Sequence, residues 1–189
     1  DTDHVGKLGW LDRVVSGEPV LTPDVRRLAD AVAARYAGTR ADVLRLAVPP
    51  RHANVEKQAP PQLKPVTPEP MDTPAWAAYR GGQQYVAALR DGRAARAVWQ
   101  ALPGELAAVT ANAGRGALAI VPDQRDVDAV HAAAVRLVDE SRVIALSAGL
   151  GPAQRYRRWL SVLRGDARIV VGTRSAAQHR QPPTVPLCG

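Results

Sequence analysis

Ala117-Leu118-Ala119-Ile120-Val121, Val143-Ile144-Ala145-Leu146 and Ile169-Val170-Val171 are three short apolar runs, and what lies between them decides the fold. The first stops at Pro122-Asp123 and gives way to apolar residues at helical spacing, Val127, Val130, Ala134, Leu137 and Val138. The second leads through Gly149 and Gly151-Pro152 into a helical face of Tyr156, Trp159, Leu160 and Leu163. The third closes on Gly172-Thr173-Arg174-Ser175-Ala176. Strands that are apolar throughout, rather than at every second residue, are covered on both faces, and parallel strands need helical crossovers between them. The pattern predicts an α/β fold, a parallel sheet joined by right-handed crossovers.

Upstream of this stretch, Ala97-Val98-Trp99-Gln100-Ala101-Leu102 reads as the first strand of the same lobe, set off by the turn Asp91-Gly92 and followed by a short helix from Leu106 to Ala113. Thr73-Pro74 opens a helical stretch through Trp76 and Tyr79, broken at Gly81-Gly82 and resumed through Tyr85, Val86 and Leu89. From Glu56 to Pro74 proline recurs among Lys, Gln and Glu with no period of either kind, which is the composition of an exposed, semi-extended linker. Nearer the start, Thr22-Pro23-Asp24 supplies an N-cap, a first-turn proline and a first-turn acid to a helix whose apolar face is Val25, Leu28, Ala29, Val32, Ala33 and Tyr36, ended by Gly38. Thr39 with Asp42 caps a second helix bearing Val43, Leu44, Leu46 and Ala47, stopped by Pro49-Pro50. The pair reads as a helical hairpin, with a helix-turn-helix as the other reading. The expected organisation is a small helical region at 1–55, a linker at 56–74, a partial lobe at 75–177 and a disordered or frame-shifted tail at 178–189.

The 189 residues carry 25 Lys and Arg against 18 Asp and Glu, a net charge of +7 borne almost wholly by arginine. Arginine forks suit phosphate oxygens, so polyanion binding is one expectation; a solvated surface shaped by GC-rich codons is the other, and the absence of Phe supports it in part. Cys188 is the only cysteine, which excludes a disulfide framework and a cysteine-based zinc site within the chain. His4, His52, His131 and His179 stand far apart, with no partner at metal-ligand spacing, and His131 falls on or beside the apolar face of its helix. Asp123, Asp126 and Asp128 sit where helix-capping acids belong. Ser147 and Ser175 have no histidine nearby and no nucleophile elbow, so no catalytic residue and no metal site is expected. No stretch reaches the length of a membrane span, and Asp1-Thr2-Asp3-His4 is neither a cationic signal region nor a normal start, so the chain reads as a cytoplasmic excerpt.

Ala119-Ile120-Val121-Pro122-Asp123, Leu146-Ser147-Ala148-Gly149-Leu150 and Ile169-Val170-Val171-Gly172-Thr173-Arg174-Ser175-Ala176 resemble, in order, the motif Ia strand, the turn after the next strand and the Ib strand of a superfamily 2 helicase lobe. The last of these, with the helix Arg155-Tyr156-Arg157-Arg158-Trp159 before it, is similar to the primosomal protein N′ (PriA) replication-restart family in its high-GC bacterial branch. Gly6-Lys7-Leu8-Gly9-Trp10-Leu11 and Ala41-Asp42-Val43-Leu44-Arg45-Leu46-Ala47-Val48-Pro49-Pro50-Arg51 resemble the region preceding that lobe, which makes 1–55 the helical end of the family's N-terminal DNA-binding region. The resemblance implies a RecA-like parallel sheet, truncated here.

It also implies where DNA would be held. The turn after the Ib strand points backbone amides and a Thr hydroxyl at phosphates of single-stranded DNA, a role that falls to Thr173 with Arg174 and Ser175 beside it, while Arg155, Arg157 and Arg158 add charge on the preceding helix. Without the resemblance, Thr173-Arg174 is a strand-end turn with a solvated arginine, and Trp159 reads as core rather than as a platform for a base. The phosphate loop of an ATPase would fall at Leu102-Pro103-Gly104-Glu105, which has one glycine, no lysine, and an acid that repels the anion by roughly 1 to 4 kcal/mol at about 4 Å. The high-GC branch of the family shares this loss. No cofactor is therefore expected, neither ATP at Pro103, Gly104 and Glu105 nor the zinc that the family's cysteines hold.

The leading expectation is a DNA-binding, ATPase-incompetent component of replication restart, localised with the nucleoid. Its implied partners are single-stranded or forked DNA, primosome proteins and single-strand binding protein, with no membrane. An active ATP-dependent helicase whose ATP motifs lie outside the chain, and a nonfunctional pseudogene product, are the competing readings.

Overall fold

A computed structural model describes residues 6, 9–10, 12–58, 74–100, 103–112, 116–147, 149–174 and 176. Among them the chain forms α1 (Pro23–Arg35), α2 (Arg40–Ala47), α3 (Ala53–Glu56), α4 (Gly82–Arg90), α5 (Pro103–Asn112), β1 (Ala117–Ile120), α6 (Gln124–Ala134), β2 (Val143–Leu146), α7 (Pro152–Leu163) and β3 (Ile169–Gly172). The three strands make one parallel sheet in the order β1-β3-β2. Ile169 is level with Ala117 on one side and Val143 on the other, and Gly172 with Ile120 and Leu146.

Both faces of the sheet are covered, as continuous apolar strands demand. Ala119, Val121, Val143, Ile169 and Val171 pack against Val127, Val130, Ala133 and Ala134 of α6 and Ala107 of α5. On the opposite face Ile144, Leu146 and Val170 meet Val162 of α7, with Ala167 and Ala176. The chain crosses from β1 over β3 to β2 through α6 and returns to β3 through α7. Reversing direction across the sheet while keeping one hand of crossover must move the helix to the other face, and it does.

The helical region before the sheet forms as its caps dictate. The Thr22 hydroxyl accepts from the Val25 N–H at 3.3 Å, with Pro23 in the first turn, and the Thr39 hydroxyl accepts from the Asp42 N–H at 3.2 Å. α1 and α2 pack on each other as a hairpin around Val25, Ala29, Val43 and Ala47. Tyr36 and Leu46, counted in the sequence among the apolar faces, are 78% and 73% exposed. The left-handed residue of the connecting turn is Ala37, at φ 51°, rather than Gly38.

Two expectations are corrected. Arg93 to Gln100 is irregular, so Ala97–Leu102 is not the first strand of the sheet in its described part; Ala101 and Leu102 lie outside the described residues. The physical reason is that Trp99 turns into an aromatic cluster with Trp76, Tyr79 and Tyr85, its ring 4.5 Å from that of Trp76, leaving Val98 fully exposed and the segment away from any strand. Glu56, read as the start of the linker, is the last residue of α3. The rest of the linker from Ala59 to Thr73, and the tail from Ala177, lie outside the described residues.

Glu56 joins the helical region to the lobe. Its carboxylate accepts from Arg51 Nε at 2.8 Å, from Ser16 Oγ at 3.1 Å and from the Tyr156 hydroxyl on α7. Beneath these bonds Val55, Val20 and Val48 pack on Tyr156, Trp159 and Leu160. Arg51 and the two hydroxyl donors hold the Glu56 carboxyl below its ordinary range, while burial and the neighbouring carboxylate push the Tyr156 phenol up to about 12.

Gly172 sits where β3 ends and Ala176 folds back. A Cβ there would lie 2.5 Å from Ala176 Cβ and 2.7 Å from the Leu146 carbonyl oxygen, whereas one on Gly149 would meet nothing within 4 Å. In chemical denaturation Gly172→Ala is expected to lose about 1 to 3 kcal/mol of stability and Gly149→Ala no more than about 0.5 kcal/mol.

The pH profile follows from the shifts. A lowered Glu56 value contributes stability that is present above the unfolded value of about 4.3 and lost as pH falls through the folded one; a raised Tyr156 value contributes stability that is present below about 10 and lost as pH rises towards about 12. Denaturant midpoints measured across pH should fall on both sides of a neutral plateau. Tyr156→Phe should remove this tyrosine's share of the alkaline fall.

Candidate nucleic-acid interface

Parallel strands with helical crossovers send all their carboxyl ends to one edge, and that edge collects the turns the sequence singles out. β1 runs into Val121, whose N–H donates to the Gly172 carbonyl at 2.9 Å, and then into Asp123, whose carboxylate caps α6 by accepting from the Asp126 N–H at 3.0 Å. β2 runs into Ser147 and the turn at Gly149–Gly151 that begins α7. β3 runs into Thr173 and Arg174, in a tight turn closed by the Ala176 N–H donating to the Thr173 carbonyl at 2.7 Å.

The helix starts on this edge differ in charge. α6 opens on the Asp123 cap with Asp126 in its first turn. α7 opens on Gly151 with no side-chain cap, Pro152 at its start, no acid in its first turn, and Arg155 one residue further on. An uncapped helix start leaves backbone N–H groups directed outward at the positive end of the helix dipole, the arrangement that receives anions. Sequence reading weighed Thr173 and the arginines here and passed over Gly151; the signal was the absence of Ser, Thr, Asp or Asn before Pro152.

The residues expected to hold DNA divide into three groups. Thr173 is half-buried and Arg174 exposed, both on the carboxyl edge; Ser175 lies outside the described residues. Arg155 is half-buried near the start of α7 and already engaged. Arg157 and Arg158 look elsewhere. Arg157 is exposed but donates from Nε and a terminal nitrogen to Gln58 Oε1 at 3.2 and 3.1 Å. Arg158 is half-buried and donates to the Ala145 carbonyl of β2, and burial lowers its pKa. It ties α7 to the sheet.

Pro103, Gly104 and Glu105, the position of the degenerate phosphate loop, form the first turn of α5. α5 packs along α6 and β1. Glu105, in its first turn, is half-buried with the Tyr79 hydroxyl 3.5 Å away, so this helix start carries a carboxylate. Trp159 is 3% exposed and part of the core, as its spacing indicated, and His131 is half-buried on α6. Among the described residues no group of three metal-ligating side chains comes together, and no helix is long and apolar enough to cross a membrane.

No protein-family model matches the chain. Curated proteins do. The chain is 65% identical over 184 residues to a protein of Mycobacterium tuberculosis (strain ATCC 25618 / H37Rv) named probable replication restart protein PriA, and equally to the protein of that name in Mycobacterium bovis. To the Mycobacterium leprae protein of the same name it is 62% identical over 187 residues. Each match covers 93% of this chain and 28 to 29% of the relative. The likeness to the PriA replication-restart family, carried in the sequence by its motifs, thus extends over nearly the whole chain, and the chain spans less than a third of those relatives.

Replacing Arg158 tests whether its charge serves the surface or the fold. Arg158→Ala is expected to lower the unfolding free energy by about 1 to 3 kcal/mol, the range for a hydrogen bond made by a charged donor. Arg174→Ala, at an exposed position, should stay within about 0.5 kcal/mol of the parent in the same denaturation experiment.

Proposed function

We propose that this chain, which follows replication restart protein PriA in sequence for 93% of its residues, is a DNA-binding part of replication restart with no ATPase activity of its own. The observation that carries the reading is the makeup of the carboxyl edge: the exposed Arg174 beside the Thr173 turn, on the same edge as a helix that starts on Gly151 without an acid. Guanidinium, hydroxyl and backbone N–H groups are the donors that bind phosphate oxygens, and they hold a strand without reading its bases. Thr173, Arg174 and Ser175 lead in this reading, Arg155 stands near them, and Arg157 adds charge from its exposed side. Arg158, turned to the Ala145 carbonyl, contributes through its field alone.

The partners that follow are single-stranded or forked DNA, with primosome proteins and single-strand binding protein around it, in a cytoplasmic, nucleoid-associated setting. ATP-driven helicase activity is the other reading. It requires a lysine on a glycine-rich loop to hold the phosphates. α5 instead begins with Pro103, Gly104 and the carboxylate of Glu105.

Salt titration of single-stranded DNA binding tests the interface. Removing one cation that neutralises a phosphate lowers the slope of log affinity against log salt by about 0.7. Arg174→Ala is expected to flatten the slope by that amount and to weaken poly-dT and mixed-sequence strands alike, while Arg158→Ala leaves the slope nearly unchanged. An Arg174→Ala chain that binds as the parent does throughout the titration would exclude this edge as the site. Phosphate release measured with forked DNA present should not exceed that of the heat-inactivated protein; turnover abolished by Gly104→Val would overturn the ATPase-incompetent reading.

A further inference from the structure

α7 carries two packed faces. One lies on the sheet; the other bears Tyr156, Trp159 and Leu160, none more than 3% exposed, flanked by Ala153 and Leu163. What covers that second face is the helical region: Val20, Val48 and Val55 pack on it. Polar contacts surround the apolar ones. The Tyr156 and Ser16 hydroxyls both donate to Glu56 Oε1, the latter at 3.1 Å, while Arg51 Nε donates to Oε2 at 2.8 Å. Near the other end of the helix Arg164 pairs with Glu18, both about three-quarters buried, and Arg157 donates to Gln58.

These contacts have the anatomy of an interface between two proteins. Two stacked aromatic rings, Tyr156 and Trp159 with centroids 5.5 Å apart, fill its middle. Acceptors on one side, Glu18, Glu56 and Gln58, face donors on the other, Arg164, Tyr156 and Arg157. Buried aromatic anchors within a rim of complementary polar groups are the features that sustain association without a covalent link. All the groups on the far side of the interface come from residues 16–58, before the Pro-rich connection begins.

We propose that the outer face of α7 is a docking site for the Ser16–Gln58 region of this chain, and that the surface itself, rather than the connection at 59–73, keeps the region in place. Tyr156 and Glu56 act as the anchor pair because each meets the other inside the interface, whereas the Glu18–Arg164 pair lies nearer its rim.

A protease site inserted between Pro65 and Val66 of the full chain lets the connection be cut after folding. The two pieces of the otherwise unmutated chain are expected to elute together in gel filtration at neutral pH and physiological salt. Tyr156→Phe and Glu56→Ala each remove the Glu56 hydrogen bond that crosses between the pieces, and each should weaken their association about tenfold or more, the loss expected for a hydrogen bond to a charged group. Glu18→Gln should weaken it by less than Tyr156→Phe does, since the Glu18 and Arg164 side chains keep about a quarter of their surface exposed and the substitution leaves an amide oxygen for Arg164. Circular dichroism of the uncut variants should match the parent. Pieces of the unmutated chain that separate on cutting overturn the proposal, and so do Tyr156→Phe pieces that associate as tightly as the parent's.

Discussion

The pairing of β3 on both of its sides is the interaction on which the rest of this structure depends. Among the described residues β1 and β2 are not paired with each other; each is bonded to β3, in register from Ile169 to Gly172. Parallel neighbours cannot be joined by a hairpin, so every connection must leave the sheet and cross a face as a helix. With β3 in the middle, the first crossover has to pass over a strand that the chain has not yet made, and the second has to come back. That is why α6 and α7 lie on opposite faces, and why β3 is buried at all four of its positions while β1, on the outside, leaves Ile120 half-exposed.

The same topology assembles the candidate site. Because all three strands point one way, Asp123, Gly149 to Gly151 and Thr173-Arg174 come to a single edge although they lie far apart in sequence. The two helix starts there differ in charge: α6 is capped by Asp123, while α7 begins on Gly151 without an acid. Gly172 allows the arrangement, since the turn that exposes Arg174 also brings Ala176 back onto β3, into the space a side chain at Gly172 would need.

Much of this could be read from residues alone, for identifiable reasons. Val143 to Leu146 and Ile169 to Val171 have no polar residue to turn outward, so burial on both faces was legible in them. Thr22, Thr39 and Asp123 cap the helices they precede, because a cap depends on neighbours three residues away and on little else. The described part of Ala97 to Leu102 is not a strand because a strand is defined by its partner: the segment has strand composition, but the ring of Trp76 offers Trp99 a better surface than an unpaired edge. Glu56 was misread for a related reason. Among prolines, lysines and glutamines it has the company of a linker, and nothing nearby announces the buried Tyr156, one hundred residues away, that bonds to it.

The arginines of α7 show why net charge did not settle function. Arg155, Arg157, Arg158 and Arg164 make the helix look like a basic stripe, yet each has its own direction. Arg158 reaches inward to a backbone carbonyl, Arg157 sideways to Gln58 and Arg164, just past the end of the helix, to Glu18, and Arg155 too is engaged. A guanidinium suits such contacts as well as it suits phosphate, because its fixed fork of donors meets carboxylate, amide and backbone oxygens equally. The charge of this helix is therefore mainly a fastening between the sheet and the region that precedes it. Arg174 stands apart from these contacts, exposed on the edge in the turn that ends the central strand.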